Sequence, residues 1–387
     1  MEVSHWKLLY YVYVDLAGRR DGVCAALSAS NGVSGRVRVG FDGINASLGG
    51  ARAALDSHAL AVSLLPEVAS AGIRIDFKFA PLRATRAETD AAFPRAFFET
   101  YEVLKVEEIV TLGPVGRSLT GVTAARHASP IEFHAMLTGA TPNPAGSIIL
   151  DVRNQYESAI GTLDPSPESG LTLMRPAVRR FEDMPAWVEA HAEELAAAPR
   201  ISMFCTGGVR CERFSALVRS RFPAADVLQL EGGIQRYMEA AEDRTIDSSR
   251  WRGRLYVFDE RPAVRIAGAN ADEKTSPHLP GVMGTCVRCI APWDDYRWSR
   301  CATCRVLVLE CDACRSKNVD SPLSCAACTA GEVLPQRART RARGRKVRLP
   351  RPDLKPQREL EVPEVRAINS SDSDDCVGSG VLNDLFS

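Results

Sequence analysis

The sequence predicts an α/β protein built on a parallel sheet, with a smaller α+β domain before it and a cysteine-rich metal-binding region and a disordered tail after it. Three observations carry that prediction. Strand-like apolar runs alternate with helical ones from residue 147 to 241, four Cys-x-x-Cys pairs fall between Cys286 and Cys328, and arginine dominates the chain beyond Pro335. With 387 residues, 45% of them hydrophobic, there is material for two or three compact cores. No apolar run approaches about 18 residues, and Glu2, His5, Lys7 and Asp15 interrupt the N-terminal stretch, so neither a membrane span nor a secretory signal is expected. The expected compartment is the reducing cytoplasm, where twelve cysteines read as catalytic and metal-binding rather than disulfide-forming. The formal net charge of zero gives no overall nucleic-acid signal.

Residues 1–100 read as the α+β domain. Leu8 to Val14 is strand-like, Arg36 to Phe41 alternates like a half-buried strand, and Asp42 to Asn45 forms a turn into a return strand at Ala46–Leu48. A helix from Ala51 to Leu65 and a strand from Ile73 to Phe79 follow. The order β-α-β-β-α-β fits a ferredoxin-like or acylphosphatase-like sandwich. Such a sheet often leaves one face open, for RNA or for docking, and Arg36, Arg38 and Lys78 are candidates for phosphate contacts on it.

Residues 101–125, with Gly113-Pro114-Val115-Gly116, read as a connector. In 126–250 a helix at Pro130–Thr138 leads into strands at Ser147–Val152, Ile201–Phe204 and Val227–Leu230 and helices at Trp187–Ala198, Cys211–Arg221 and Ile234–Ala241. That alternation argues a parallel sheet, with the ligand site beyond the strands' carboxyl ends.

The chemistry concentrates at Cys205-Thr206-Gly207-Gly208-Val209-Arg210, a glycine-containing turn between a strand and a helix. A cysteine there faces unpaired N–H groups and the positive end of the helix dipole. With Arg210 closing the loop, three effects push the thiol below its ordinary pKa of about 8.5. Protein tyrosine phosphatases separate such a cysteine and arginine by five residues; here Thr206 to Val209 intervene, a smaller ring suited to a sulfur adduct rather than a phosphate. Cys211, one residue past the arginine, is read as either a resolving thiol or a packing residue on the far side of the turn.

The loop resembles the active-site loop of the rhodanese superfamily. Ser147-Ile148-Ile149-Leu150-Asp151-Val152-Arg153 resembles the strand ending in Asp-x-Arg, and Leu228-Gln229-Leu230-Glu231-Gly232-Gly233-Ile234 the last strand and turn. More narrowly, Cys-Thr-Gly-Gly-x-Arg-Cys-Glu with Asp151-Val152-Arg153-Asn154 upstream is similar to the bacterial tRNA uridine hydroxylases and their eukaryotic relatives, the rhodanese-like domain-containing protein 2 group. Gly43-Ile44-Asn45, Phe258-Asp259-Glu260-Arg261 and the paired cysteines extend the match over roughly residues 5 to 315. The departures are Ala46-Ser47 for Gly-Thr, Arg213 for Lys, and Gly161 to Arg175, which lacks the family's histidine. The resemblance implies a rhodanese-like sheet with Cys205 and Arg210 catalytic, and Asp151 and Arg153 are expected to buttress the loop.

Cys286/Cys289, Cys301/Cys304, Cys311/Cys314 and Cys325/Cys328 provide eight thiolates, enough for two closed four-cysteine zinc sites of structural role, with the pairing left open by the spacing. An iron–sulfur cluster or redox disulfides are the alternatives. Residues 251–334 hold this region. No signature of an organic cofactor is evident. In 335–387 a basic arm, Arg337 to Arg351, is expected to be disordered and able to contact RNA phosphates or direct nuclear import, followed by the acidic run Ser370 to Asp375.

Two enzymatic functions fit. The resemblance implies tRNA modification, the oxygen-dependent 5-hydroxylation of the wobble uridine, with Cys205 as nucleophile and tRNA as partner. The alternative is a sulfurtransferase carrying sulfane sulfur as a Cys205 persulfide between a donor and an acceptor. A zinc-bearing adaptor without catalysis is the third. The extra N-terminal sheet and cysteine-rich region favour an RNA substrate, because a plain sulfurtransferase needs neither.

Overall fold

The computed structural model describes residues 5–82, 98, 100–119, 123–257, 263–264, 281–296, 299–317 and 321–331. The Phe258–Arg261 motif, the basic arm and the acidic run lie outside the described residues.

The N-terminal sheet contains β1 (His5–Tyr13), β2 (Val33–Gly40), β3 (Gly43–Gly50), β4 (Lys78–Leu82) and β5 (Tyr101–Lys105) in the order β4-β1-β3-β2-β5. All neighbours are antiparallel except β2 and β5. Period-two alternation sorts β1 into two faces. Leu8, Tyr10 and Val12 are buried against Val23 and Leu27 of the helix Arg20–Ser28 and Leu55 and Val62 of the helix Arg52–Ser63. Each such side chain contributes about 1.5–3 kcal/mol of burial. Leu9, Tyr11 and Tyr13 occupy the opposite face.

Three expectations shift here. β3 begins at Gly43, so the turn shrinks to Phe41-Asp42. The strand expected over Ile73–Phe79 starts only at Lys78, where pairing with Leu9 of β1 begins; Ile75 and Phe77 still pack on the core, while Asp76 ion-pairs with Lys78 and Arg236. The span 101–125 opens with a strand rather than a connector, because β5 pairs with the outer edge of β2 and completes the first sheet.

The second sheet is fully parallel: β6 (Arg126–Ala128), β7 (Ile148–Asp151), β9 (Thr172–Met174), β10 (Arg200–Phe204) and β11 (Asp226–Leu230), ordered β6-β11-β10-β7-β9. β8 (Gly161–Leu163) pairs with β12 (Trp251–Gly253) beside it. The central strands are buried on both faces, one packed on Phe214 and Val218 of the helix Val209–Arg221 and the other on Phe133 of Pro130–Thr138 and Tyr237 of Gly233–Glu242, as parallel strands require. Pro130–Thr138 starts on a Ser129/Glu132 capping box. The helix expected over Trp187–Ala198 is two, Met184–Ala190 and Ala192–Ala197. His191 breaks it by leaving helical geometry and stacking on Trp187 at 4.2 Å. No described helix is long and apolar enough to cross a membrane.

Arg213 of the helix Val209–Arg221 ties the two sheets together. Its guanidinium donates to the Gly116 carbonyl at 2.7 Å and lies 3.5 Å from Glu108 and 3.7 Å from Asp42 of the β2–β3 turn. All three side chains are buried. Arg213→Met should therefore strand two buried carboxylates and cost about 3–5 kcal/mol, measured as a drop in the denaturation midpoint; an unchanged midpoint would dissociate this cluster from stability.

Candidate active site and metal centres

β10 ends at Phe204, and the chain turns through Cys205-Thr206-Gly207-Gly208 into the helix beginning at Val209. The amides of Ile234 and Gln235, at the start of the next helix, donate to the carbonyls of Cys205 and Thr206 at 2.9 and 3.0 Å. With those carbonyls tied down, the loop's N–H groups are free to face the sulfur, and Gly208 N–H donates to Cys205 Sγ at 3.2 Å. Two glycines are required. A Cβ on Gly233 would stand 2.6 Å from the Cys205 carbonyl, and one on Gly208 2.8 Å from the Tyr11 hydroxyl; both have positive φ.

Cys205 is completely buried. Burial alone pushes the thiol up, but a hydrogen bond from the Cys211 thiol, the charge of Arg210 and the amides of Cys211 and Arg210 hold it at about 5. Cys205 is thus an anion at neutral pH. Burial and the neighbouring Cys205 sulfur drive Cys211 well above the usual thiol range, so it stays protonated and donates. The expectation that the two sulfurs lie on opposite sides of the turn is corrected. The helix starts at Val209, and a first-turn side chain leans back over the loop.

Arg210 is clamped by Glu157, at 2.6 and 2.8 Å to the two carboxylate oxygens, with Thr206 Oγ1 bridging both at 3.2 Å. Burial works against the guanidinium charge, and Glu157 more than offsets it. Sequence reading passed over Glu157. Its signal was an acid three residues past Asn154, in the short helix Gln155–Ser158 that follows the Asp-x-Arg segment.

Asp151 and Arg153 form a fully buried bidentate pair at 2.6 and 2.8 Å, but among the described residues neither side chain hydrogen-bonds to the loop. Arg153 donates to the Gly161 carbonyl at 2.6 Å and Thr162 to Asp151 at 3.1 Å. The pair fastens β7 to β8 and so fixes the segment between them, which carries Glu157. The expected direct buttress acts one step removed, because both charges are spent on each other.

Above the loop is a cleft of about 730 Å³. Thr206, Gly207, Val209 and Arg210 form its floor, with the Cys205 sulfur one layer below. Tyr11 and Arg38 of the N-terminal sheet form one wall, Tyr156 and Arg179 another, and Arg300 and Arg305 of the cysteine-rich region a third. Tyr13 and Tyr11 hold the first wall on the loop helix, donating to the Val209 carbonyl at 2.8 Å and to Glu212 at 3.2 Å. A second cavity, about 640 Å³ beside Arg126, Arg219 and Asp226, contains no cysteine.

The eight paired cysteines assemble into two groups, Cys286/Cys289 with Cys311/Cys314 and Cys301/Cys304 with Cys325/Cys328, each with its ligand atoms within 4.8 Å of one another. The pairs therefore interleave, first with third and second with fourth. Cys289 and Cys311 are 3.7 Å apart and Cys304 and Cys325 3.6 Å, near the roughly 3.8 Å edge of a tetrahedron with metal–sulfur bonds of about 2.3 Å. Both groups repeat one turn: Ile290 and Arg305 donate to the carbonyls of Cys286 and Cys301 at 2.9 and 3.0 Å and adopt φ of 61° and 64°. Each group fits a tetrahedral thiophilic ion.

A parallel sheet with a cysteine–arginine loop at its carboxyl end defines a rhodanese-like protein. The family profile described as "Rhodanase C-terminal" matches residues 252–329, the segment holding the cysteine clusters. The chain is 34% identical over 251 residues to "tRNA uridine(34) hydroxylase" of Mesorhizobium japonicum, covering 64% of this chain and 70% of that protein. It is 33% identical over 267 residues to the protein of the same name from Streptococcus thermophilus, covering 67% and 72%. It is 32% identical over 326 residues to "Rhodanese-like domain-containing protein 6" of Arabidopsis thaliana, covering 82% of this chain and about half, 52%, of the plant protein. The chain belongs to the tRNA uridine(34) hydroxylase family of the rhodanese superfamily.

Removing the Cys211 donor should raise the Cys205 pKa from about 5. Thiolate absorbance across pH, as a difference against Cys205→Ser, should show a higher midpoint in Cys211→Ala; an unmoved midpoint would leave Cys211 a packing residue. Elemental analysis should find two metal ions per chain in the wild type and one in Cys301→Ser, whereas a loss of both would mean the groups are not independent.

Proposed function

We propose that this protein modifies tRNA, hydroxylating carbon 5 of the wobble uridine with Cys205 as nucleophile, molecular oxygen as oxidant and an external two-electron donor that reduces the second oxygen atom to water. One observation carries the reading: a thiolate ringed by amides lies beneath a cleft whose walls are basic and aromatic. The anticodon loop is single-stranded, so its bases can be splayed out, stacked on tyrosines and held by phosphate contacts. Arg210 and the loop amides stabilise the Cys205 anion, and Glu157 orients Arg210.

In this reading the N-terminal sheet is a ferredoxin-like platform, residues 126–250 are the rhodanese domain, and the two cysteine groups hold structural zinc. The same thiolate would suit the sulfurtransferase alternative, but the cleft has far more room than thiosulfate or cyanide needs. Nucleoside mass spectrometry of tRNA from cells lacking the gene decides between them. 5-Hydroxyuridine and its derivatives should vanish, return with the wild-type gene, and stay absent with Cys205→Ser. Normal levels in the deletion, together with rapid thiosulfate turnover by the purified protein, would replace this reading with sulfur transfer.

A further inference from the structure

The cleft over the Cys205 loop is lined by more positive charge than the described residues neutralise. Arg210 is matched by Glu157, Lys78 by Asp76, Arg36 by Glu102 and Arg180 by Glu182. Arg38, Arg179, Arg300 and Arg305 also line it, and among the described residues none has a carboxylate within ion-pair distance. They come from three parts of the chain: Arg38 from β2, Arg179 from the segment following β9, and Arg300 and Arg305 from the turn of the second cysteine group. The Arg179 guanidinium has a buried N–H group without a hydrogen-bond partner among the described residues. Burial and the nearby Arg36 lower the Arg38 pKa, leaving its charge short of a counter-ion.

Arg38, Arg300 and Arg305 keep exposed surface and Arg179 is half-buried, so water solvates most of this charge, and an anion in the cleft would gain from the summed field of the four. Two of the four depend on the metal-binding turn. Arg305 has its backbone in the left-handed conformation, and Arg300 donates to the Arg305 carbonyl at 3.0 Å. The cysteines on both sides of this turn, Cys301 and Cys304, belong to the same group, so an ion there would fix where both guanidiniums project.

We propose that Arg38, Arg179, Arg300 and Arg305 form a phosphodiester cradle that grips the RNA backbone on both sides of the nucleotide held over Cys205. The second cysteine group thereby serves as a wall of the RNA site rather than only as a staple. This rests on the RNA-modification reading and names the residues that bind the substrate's backbone. Because phosphates carry no base identity, the cradle holds single-stranded RNA of any sequence.

The test is fluorescence anisotropy with two labelled probes, an anticodon stem-loop RNA and a uridine-free oligoadenylate, over a salt series. Arg300→Gln/Arg305→Gln and Arg38→Gln should each weaken both probes at least about tenfold at low salt. The slope of log affinity against log salt should fall by roughly 0.7 per arginine removed. Arg221→Gln, which alters an exposed ion pair with Glu189, should match wild type. Unchanged metal content and Cys205 ionisation would establish that the variants are folded. Wild-type affinities and slopes in all the cradle variants would overturn the proposal. Weakened oligoadenylate binding in a protein whose deletion leaves 5-hydroxyuridine intact would uphold the cradle while refuting the hydroxylase reading.

Discussion

A thiolate that is entirely removed from water is the constraint around which the rest is arranged. Burial alone favours the neutral thiol, and here it is outweighed only because several weak donors act on one atom: the Gly208 amide, the Cys211 thiol, the amides opening the helix and the field of Arg210. Arg210 is also buried, although it reaches the cleft, and needs a carboxylate, which Glu157 supplies. Glu157 is held in turn on a short segment pinned at both ends by the Asp151–Arg153 pair and β8. The reactive sulfur thus lies at the end of a chain of buried charges in which each member answers the previous one, so such networks are costly to leave half-satisfied.

The same loop is where the parts of the molecule meet. Tyr11 and Tyr13 extend from the N-terminal sheet onto the loop helix, and Arg213 on that helix reaches back to Asp42 and Glu108. The cysteine-rich region closes the third side of the cleft, with Tyr296 donating to the Tyr156 carbonyl at 2.7 Å beside it. A rhodanese-like sheet alone would leave Cys205 under an open surface. With both additions it lies beneath a walled cleft of about 730 Å³.

Much of this was legible in the residues. Three of the five strands of the parallel sheet, β7, β10 and β11, fall within one residue of the apolar runs that predict them, because buried parallel strands are continuous in sequence, whereas the three-residue edge strands β6 and β9 carry no such run. The loop announces itself by a cysteine, two glycines and an arginine at fixed spacing. Less legible were elements whose existence depends on a distant partner. β5 is a strand because β2 has an open edge, and Ile73–Phe77 is not one because the register with β1 stops at Lys78. The helix break at His191 came from a ring stacking on Trp187, which propensity does not encode.

What the sequence determined by itself was local: the turn that makes a thiolate, the alternation that makes a parallel sheet, and the Cys-x-x-Cys spacing that makes half a metal site. Tertiary structure decided every pairing between such local units. It joined Glu157 to Arg210, crossed the cysteine pairs, turned Cys211 toward Cys205 and brought arginines that have no carboxylate partner among the described residues from three segments to one cleft. The reason is physical. Backbone preferences act over a few residues and are written in order along the chain, whereas charge pairing and metal ligation depend on distance in space, which chain order does not specify.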